Sequence, residues 1–524
     1  DLDLPAAHVH GAATFFSDLA FAHEAEGPPV RMCAGAACAA ARGGGPREAR
    51  APDQRADDSG ASGAAIQPVH CLGHCYASPA ALVGETPCAG PDLADQIAGR
   101  TEPQAPPIPW EIATGEPVVL ARLAGGEPAA WSVWRDVLDQ GPDAGRSRVL
   151  HEVRQAGIRG RGGAGFLTAV KWTTAAESAT DGPRYIVANG DEGDPGSYID
   201  RLLMESDPHG VLEGMALAAL AVGATHGFVY VRSEYPRARD ALRAAVADAR
   251  AAGDLGTDIH GAGLTFDVDV FEGAGSYVAG EETALIHSME GLRGGVAPRP
   301  PYPATRGLFN RPTVVNNVET LASLPWIVAR GGHAYAALGT DDSHGTKVVC
   351  LNERFARPGA YEVELGVPLQ WICDELGGGL RDGRRMTALQ VGGPLGGYLG
   401  PDELDVPLAF GALREAGVEL GHGSLIAFDE RTSPQAMLLH TWQFIAAESC
   451  GTCAPCRIGS RRGLDTARRL AGGQATPADL ARHDAVLDTM AAGSLCAFGQ
   501  TAPQPVRCLL RLFGDELAPK EAGA

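Results

Sequence analysis

Two sets of four cysteines, out of twelve in the chain, have spacings that suit iron–sulfur chemistry. Near the C-terminus, Cys450-x2-Cys453-x2-Cys456 is followed by a remote Cys496 in GSLCAFG. Three close thiolates and one distant one are the ligand pattern of a [4Fe–4S] cluster, with the remote ligand tying two parts of a helical region together. Near the N-terminus, Cys33-x4-Cys38 and Cys71-x3-Cys75 form two close pairs, which suits four-thiolate ligation of a [2Fe–2S] cluster. Zinc is the rival for both sets, although zinc ribbons favour two-residue gaps within each pair. Cys88, Cys350, Cys373 and Cys508 carry no pattern and read as packed thiols.

A different chemistry belongs to GIRGRGGAGFLTAVKW, residues 157–172. Glycine removes the Cβ that would block close approach and permits positive φ, so successive N–H groups can turn toward one anion. Gly160-x-Gly162-x-x-Gly165 matches a dinucleotide fingerprint, a motif that has meaning only between a strand and a helix. Here the preceding SRVLHEVRQAG has helical spacing, and the first strand-like run, Tyr185–Ala188, comes afterwards. The loop is therefore a phosphate cradle of another kind. Lys171 within it is one of three lysines, with Lys347 and Lys520, among 43 basic residues.

Three further stretches place glycine beside carboxylates or amides. Strand-like YIVAN ends in Gly190-Asp191-Glu192-Gly193-Asp194-Pro195-Gly196, and ligands of an α/β sheet lie at such carboxyl ends. A calcium loop is excluded, because Leu202 stands where the bidentate Glu would be. FEGAGSY runs into Gly280-Glu281-Glu282-Thr283, and Pro312–Thr320 carries Asn316 and Asn317. Asparagine both donates and accepts, matching the mixed edge of a flavin or base.

The elements that must position these groups follow in order. Residues 4–22 read as a helix and turn, and 29–32 as a strand leading into Cys33. GRTEPQAPPIPW is a proline-rich linker. Short strands are expected at 347–351, 389–393 and 424–428, and a helix over 437–447 delivers the C-terminal cysteines. The expected fold is multidomain α/β, and family resemblance implies its parts: a thioredoxin-like domain over 1–98, a linker over 99–110, a Rossmann-like nucleotide domain over 111–340, a β-grasp insert over 341–430 and a helical bundle carrying a cluster over 431–524.

Bulk properties agree with a globular enzyme. At 524 residues the chain has room for several domains, with 45% apolar residues and a formal charge of −21, which argues against nucleic-acid or anionic-membrane partners. No apolar run reaches membrane-spanning length and no signal peptide is visible, so the expected location is the cytoplasm, where cysteines serve metals or redox chemistry.

The segments VHGAATFF, RMCAGAAC and HCLGHCYASPA resemble the thioredoxin-like [2Fe–2S] subunit of respiratory complex I and related diaphorases, which usually carries more N-terminal helix. Residues 150–510 resemble the FMN-containing, NADH-oxidising flavoprotein subunit shared by complex I, bidirectional hydrogenases and NAD-dependent formate dehydrogenases. The motifs are GIRGRGGAGF, NGDEGDPGS, GAGSYVAGEETALIHSMEGLRG and RPTVVNNVETLA. That resemblance implies FMN contacts from Gly160, Arg161, Gly162, Lys171, Asn189, Asp191, Glu192, Tyr277, Gly280, Glu281, Val315, Asn316, Asn317 and Thr320. It implies an NADH side formed by Phe166, Asp194, Glu282, Arg299 and Tyr302. Glu192 and Glu281 would position the flavin, and no acid–base residue is expected beyond them. The family's usual proline and glycine in the loop are Leu167 and Ala169 here, and a frequent aromatic is Thr174.

The implied activity is hydride exchange between NAD(H) and FMN, with single electrons passed to one [4Fe–4S] and one [2Fe–2S] cluster. The fused N-terminal module and the tail motifs GGPLGGYLGPDELDVPLAF and ESCGTCAPCRIGSRRG look most like the β subunit of soluble NAD-dependent formate dehydrogenases. The implied partner is a catalytic α subunit with a molybdenum or tungsten pterin and further clusters. The diaphorase subunit of an NAD-linked [NiFe] hydrogenase is the next alternative, then complex I, then a relay scaffold without flavin.

Overall fold

The computed structural model describes residues 5–19, 29–42 and 66–518. The Gly/Arg/Asp-rich loop between the N-terminal cysteine pairs, the end of the first expected helix and turn, and Lys520 lie outside the described residues.

The N-terminal sheet contains β1 (Val30–Cys33), β2 (Ile66–Val69), β3 (Ala80–Val83) and β4 (Thr86–Ala89), in the order β2-β1-β3-β4. β1 and β2 are parallel, whereas β3 runs antiparallel to β1 and to β4. Both cysteine pairs therefore stand near the same ends of β1 and β2: Cys33 closes β1, and Cys71 follows Val69 at the end of β2.

β5 (Trp110–Ile112) follows the proline-rich segment and pairs not with its sequence neighbours but with a strand some 250 residues on. The nucleotide-type sheet is formed by β6 (Tyr185–Gly190), β7 (His226–Val231), β8 (Asp267–Glu272) and β9 (Thr313–Asn317), all parallel, in the order β8-β7-β6-β9. Successive strands step outward from β6 to β8, and then β9 returns to the other side of β6. The crevice between the carboxyl ends of β6 and β9 is thus a topological switch point, the place where open α/β sheets hold ligands. Their burial on both faces accounts for near-continuous apolar runs such as Ile186-Val187-Ala188.

Behind this sheet, helix Pro208–Val222 is buried almost all round, as its lack of a polar face predicts. Asp207 caps its start through Gly210 N, and Gly223, at φ 78°, ends it. Gly214 is obligatory there, because a Cβ would lie 2.1 Å from the Leu321 carbonyl oxygen.

A short hairpin, β10 (Gly339–Thr340) and β11 (Ser343–His344), leads to β12 (Thr346–Leu351), β13 (Gly359–Glu364), β14 (Met386–Val391), β15 (Gly397–Leu399) and β16 (Ser424–Asp429). With β5 the last five form a six-stranded mixed sheet in the order β15-β14-β16-β12-β13-β5. The 110/111 boundary expected from sequence falls inside β5, since Ala360–Glu362 recruits Trp110–Ile112 by parallel pairing. This sheet is fastened to the helix that follows β9 by a fully buried ion pair, Lys347 with Glu319, whose second oxygen accepts from Val348 N. The C-terminal region is helical: Pro434–Glu448, Ala454–Ala471, Pro477–Gly493, Ala497–Thr501 and Pro503–Leu512, the last carrying Cys508. Among the described residues no helix is long and apolar enough to cross a membrane.

Candidate functional site

The glycine loop lies across the switch point. Helix Pro142–Ala156 stops at Gly157, whose φ of 59° turns the chain. The loop then folds back on itself, with Gly160 N donating to the Phe166 carbonyl at 2.9 Å and Arg159 Nη1 to the Gly165 carbonyl at 3.1 Å. Helix Thr168–Glu177 follows and packs Trp172, fully buried, so that its Nε1 donates to Asn316 Oδ1 at 2.9 Å. The loop backbone meets β9 and the helix after it: Arg161 N donates to Thr320 Oγ1 at 2.9 Å, and a Cβ on Gly162 would stand 2.9 Å from that of Asn317.

Most residues expected at FMN are brought to this crevice, several of them already engaged with one another. Asn189 Nδ2 donates to the Gly280 carbonyl at 2.8 Å, and its Oδ1 accepts from Asp191 N. Asn317 Oδ1 caps the helix Val318–Ala322 through Thr320 N, while its Nδ2 donates to Asp200 at 2.7 Å. Glu281 caps helix Glu282–Met289 through Thr283 N and Ala284 N. Lys171 Nζ reaches the Val315 carbonyl at 2.9 Å and Glu282 at 3.1 Å.

Glu192 is engaged within the fold. It is fully buried and accepts from Ser197 Oγ, Asp200 N, Arg201 N and the Tyr235 hydroxyl, so the carboxylate organises the turn and the start of helix Ile199–Ser206. Burial and the charge of Asp200 push its pKa up. Burial also holds the pKa of Asp191 well above the usual range, against the opposing charge of Arg232, 3.6 Å away.

The polar groups left over fit a phosphorylated flavin. Arg161 is buried, and one nitrogen donates to the Tyr335 hydroxyl and the His344 carbonyl, each at 2.6 Å, while Nε and Nη1 have no partner. Thr168 Oγ1 and Asp191 Oδ2 are also buried and unpartnered. A buried guanidinium with two free nitrogens, beside glycine N–H groups, suits an anionic group.

The expected NADH side is more open. Glu282 is flanked by Lys171 and by Arg299 at 2.9 Å, and Phe166 and Tyr302 are exposed. Asp194 Oδ1 accepts from the Tyr277 hydroxyl at 2.9 Å, and its Oδ2 faces His422 at 3.3 Å.

Both cysteine sets converge on this site. Cys33, Cys38, Cys71 and Cys75 are all buried. Interaction with Cys71, burial and then the charges of Cys71, Cys38 and Cys33 raise the pKa of Cys75 well above the usual thiol value. The acidic turn touches this set directly: Gly196 N donates to Cys75 Sγ at 3.2 Å. In the C-terminal set, Cys453 stands at the N-cap position of the helix Ala454–Ala471. Burial pushes Cys456 up to about 12, with Cys453, Cys496 and Cys450 adding to it through their charge. Seven of these eight thiols are buried and Cys453 is half-buried, an environment that suits thiolate ligation of a metal cluster.

Sequence reasoning missed the connecting residues. Glu448, two positions before Cys450, accepts from Tyr277 N at 3.1 Å and contacts His70, beside Cys71, at 2.8 Å. Tyr277 packs edge-on against Phe444 and near Phe498, at ring separations of 5.1 and 5.8 Å. Arg232, just past β7, donates to the carbonyls of Glu192 and Cys71 at 2.7 and 3.1 Å. Its place after a strand's carboxyl end was a usable signal; nothing local marked Glu448. A cavity of ≈ 260 Å³ opens where these parts meet, lined by His70, Gly193, Arg232, Tyr277 and Glu448 among others.

Residues 153–326 match the model of the Nuo51 FMN-binding domain, and residues 436–520 match the NADH-ubiquinone oxidoreductase-F iron–sulfur binding region. The chain is 42% identical over 370 residues to the NADP-reducing hydrogenase subunit HndC of Solidesulfovibrio fructosivorans, covering 71% of this chain and 75% of that protein. It is 38% identical over 376 residues to a subunit of the Escherichia coli NADH-quinone oxidoreductase, covering 72% and 84%. A chain in the crystal structure of an NAD+-reducing [NiFe]-hydrogenase in its H2-reduced state superposes with a TM-score of 0.83 at 33% identity, covering 99% of this chain and 89% of that one.

Proposed function

The chain belongs to the family of FMN-binding flavoprotein subunits represented in NADH-quinone oxidoreductases, and on that premise we propose that it is the NAD(H)-reacting subunit of a multisubunit oxidoreductase. The observation that carries this reading is the buried, half-partnered Arg161 within the glycine loop, at a switch point flanked by both cysteine sets.

Gly160, Arg161, Gly162, Lys171, Asn189, Asp191, Tyr277, Gly280, Val315, Asn316, Asn317 and Thr320 would hold FMN, with Glu192 and Glu281 fixing the backbone they stand on. Cys450, Cys453, Cys456 and Cys496 would hold the [4Fe–4S] cluster. Bound FMN supplies the exchange between a two-electron hydride and one-electron carriers. The chain's residues place the nucleotide: Phe166 and Tyr302 offer aromatic faces, Asp194 and Glu282 offer acceptors to hydroxyl or amide groups, and Arg299 holds Glu282. Cys33, Cys38, Cys71 and Cys75 would bind a [2Fe–2S] cluster, a reading supported by their burial and mutual proximity.

The proposed partner is the molybdenum- or tungsten-pterin subunit of a cytoplasmic NAD-dependent formate dehydrogenase, from the likeness of the tail motifs. A second reading, a [NiFe] hydrogenase partner, is favoured by the 99% coverage of this chain by the hydrogenase structure. The purified chain should be yellow and should reduce ferricyanide with NADH; a colourless, iron-replete and inactive protein refutes the flavoprotein reading. Metal analysis of the native complex decides the partner: molybdenum or tungsten supports the first reading, and nickel replaces it with the second. Cys71→Ser should remove a [2Fe–2S] EPR signal while FMN stays bound, and an unchanged spectrum refutes that ligand set.

A further inference from the structure

The structure buries a histidine among three carboxylates at the edge of the site. His422 stands in the turn before β16, between Gly421 and Gly423, and each ring nitrogen faces an acid. Nδ1 lies 3.3 Å from Asp194 Oδ2; Nε2 lies 2.9 Å from Asp200 Oδ2 and 3.9 Å from Glu192 Oε1. His422, Glu192 and Asp200 are buried, and Asp200 Oδ1 has no partner.

A neutral imidazole has a single N–H, so it would turn a lone pair toward one of these carboxylates. With its Oδ1 held by Thr320 N at 3.2 Å, the Asn317 NH2 lies 2.7 Å from Asp200 Oδ2 and 3.2 Å from Nε2, yet the 2.9 Å approach of Asp200 to Nε2 would still set a ring lone pair against that carboxylate. Two N–H groups on the ring satisfy both acids. Burial by itself would lower the pKa of His422, but the charge of Asp200 and the hydrogen bonds to Asp194 and Asp200 raise it well above the ordinary value. The groups facing the ring are Glu192 and Asp194 from the turn after β6, Asp200 from helix Ile199–Ser206 and the Asn317 amide from β9. Lys347, which passes beneath Gly423, is committed to Glu319.

We infer that His422 is a positioning residue for NAD(H): a charged brace that ties Asp194, on the nucleotide side, to Asp200 and Asn317, on the flavin side. The inference rests on the function proposed above. Tyr277 holds one oxygen of Asp194 and His422 holds the other, so together they fix the plane of a carboxylate offered to the nucleotide. The residue stands in the turn that leads into β16, so the brace also makes the nucleotide side depend on how that sheet sits against the parallel β6–β9 sheet.

The test is His422→Gln in the FMN-loaded protein, with NAD+ affinity measured by equilibrium dialysis across pH. Loss of a charged hydrogen bond should weaken NAD+ binding by roughly tenfold at neutral pH and leave the FMN content unchanged. Wild-type affinity should fall as pH rises through the raised pKa of His422, and the variant should lack that limb. Stability should follow the same sign. A histidine pKa raised on folding contributes fully below its unfolded value, about 6.5, and the contribution is lost as pH rises through the folded value. The gap in thermal midpoint between wild type and variant should therefore close toward alkaline pH.

If the single variant fails to fold, Asp200→Asn with His422→Gln removes an acid together with the cation; it should fold and still bind NAD+ weakly. Unchanged affinity in the variants, or a stability gap independent of pH, overturns the brace. So does one equivalent of a non-iron divalent metal in the wild type that disappears in His422→Gln, because the ring would then be a ligand. A wild-type protein that holds FMN but binds no NAD+ overturns the functional reading instead.

Discussion

Arg161 and Phe166 belong to one glycine loop and meet opposite surroundings: Arg161 is 1% exposed and Phe166 is 53% exposed. Around Arg161, Thr320, Tyr335 and His344 lock the backbone and one guanidinium nitrogen, leaving two buried nitrogens free. Around Phe166 the neighbouring Leu167 and Val170 are also exposed, as is Tyr302 across the expected NADH side. A resident cofactor repays a wall whose polar groups are ordered in advance, because little entropy is then lost on binding. A substrate that must leave each cycle needs an accessible rim. On the proposed reading one loop would serve both, because it switches from buried to exposed within a few residues.

Arg161→Met should break the buried half most severely. The change removes the unpartnered nitrogens and strands Tyr335 and the His344 carbonyl. At about 1.5–3 kcal/mol for each hydrogen bond to a charged group, FMN retention should fall by roughly a hundredfold or more. Flavin absorbance per chain after gel filtration reads this directly. A variant that stays fully yellow contradicts the assignment of Arg161 to the flavin wall.

Glu282→Gln probes the seam between the halves. Glu282 faces Lys171 at 3.1 Å on the expected flavin side and Arg299 at 2.9 Å on the expected nucleotide side. All three side chains are partly exposed, so each pair is worth at most about 1 kcal/mol. The KM for NADH in ferricyanide reduction should rise about tenfold or somewhat less, on the same bookkeeping, with FMN content unchanged. Loss of flavin instead would move Glu282 and its two cations to the buried half.

The buried half was the more legible in the sequence, for a physical reason. A wall held by backbone N–H groups requires glycines and short amides in a fixed order, and Gly160–Gly165, Asn189 and Asn316-Asn317 display that order as letters. The parallel order β8-β7-β6-β9 was not legible, since nothing local says that β9 returns past β6. Neither was the recruitment of Trp110–Ile112 into the β12–β16 sheet, because a three-residue strand has no periodicity to read. His422 and Glu448 were invisible for the same reason: each acts through partners distant in sequence, and a single charged letter carries no spacing. Glu192 shows a second limit. A carboxylate in a glycine turn reads as ligand-facing, and nothing local says that it also organises Ser197 and the first N–H groups of helix Ile199–Ser206.

Phe166→Ala should have the smallest effect and makes the sharpest separation. The ring is exposed, so its removal should change stability by no more than about 0.5 kcal/mol. If Phe166 stacks on the nucleotide, an aromatic contact of about 0.5–1.5 kcal/mol is lost, and the KM for NADH should rise around threefold while kcat and flavin content hold. Leu167 and Val170, exposed beside it, supply apolar surface but no face for stacking, so they can replace only part of the contact. The measurement is therefore best made with NADH and with a nicotinamide donor that lacks adenine. Equal effects on both donors would place Phe166 near the reacting ring, whereas an effect confined to NADH assigns it to adenine and keeps the rim distinct from the wall.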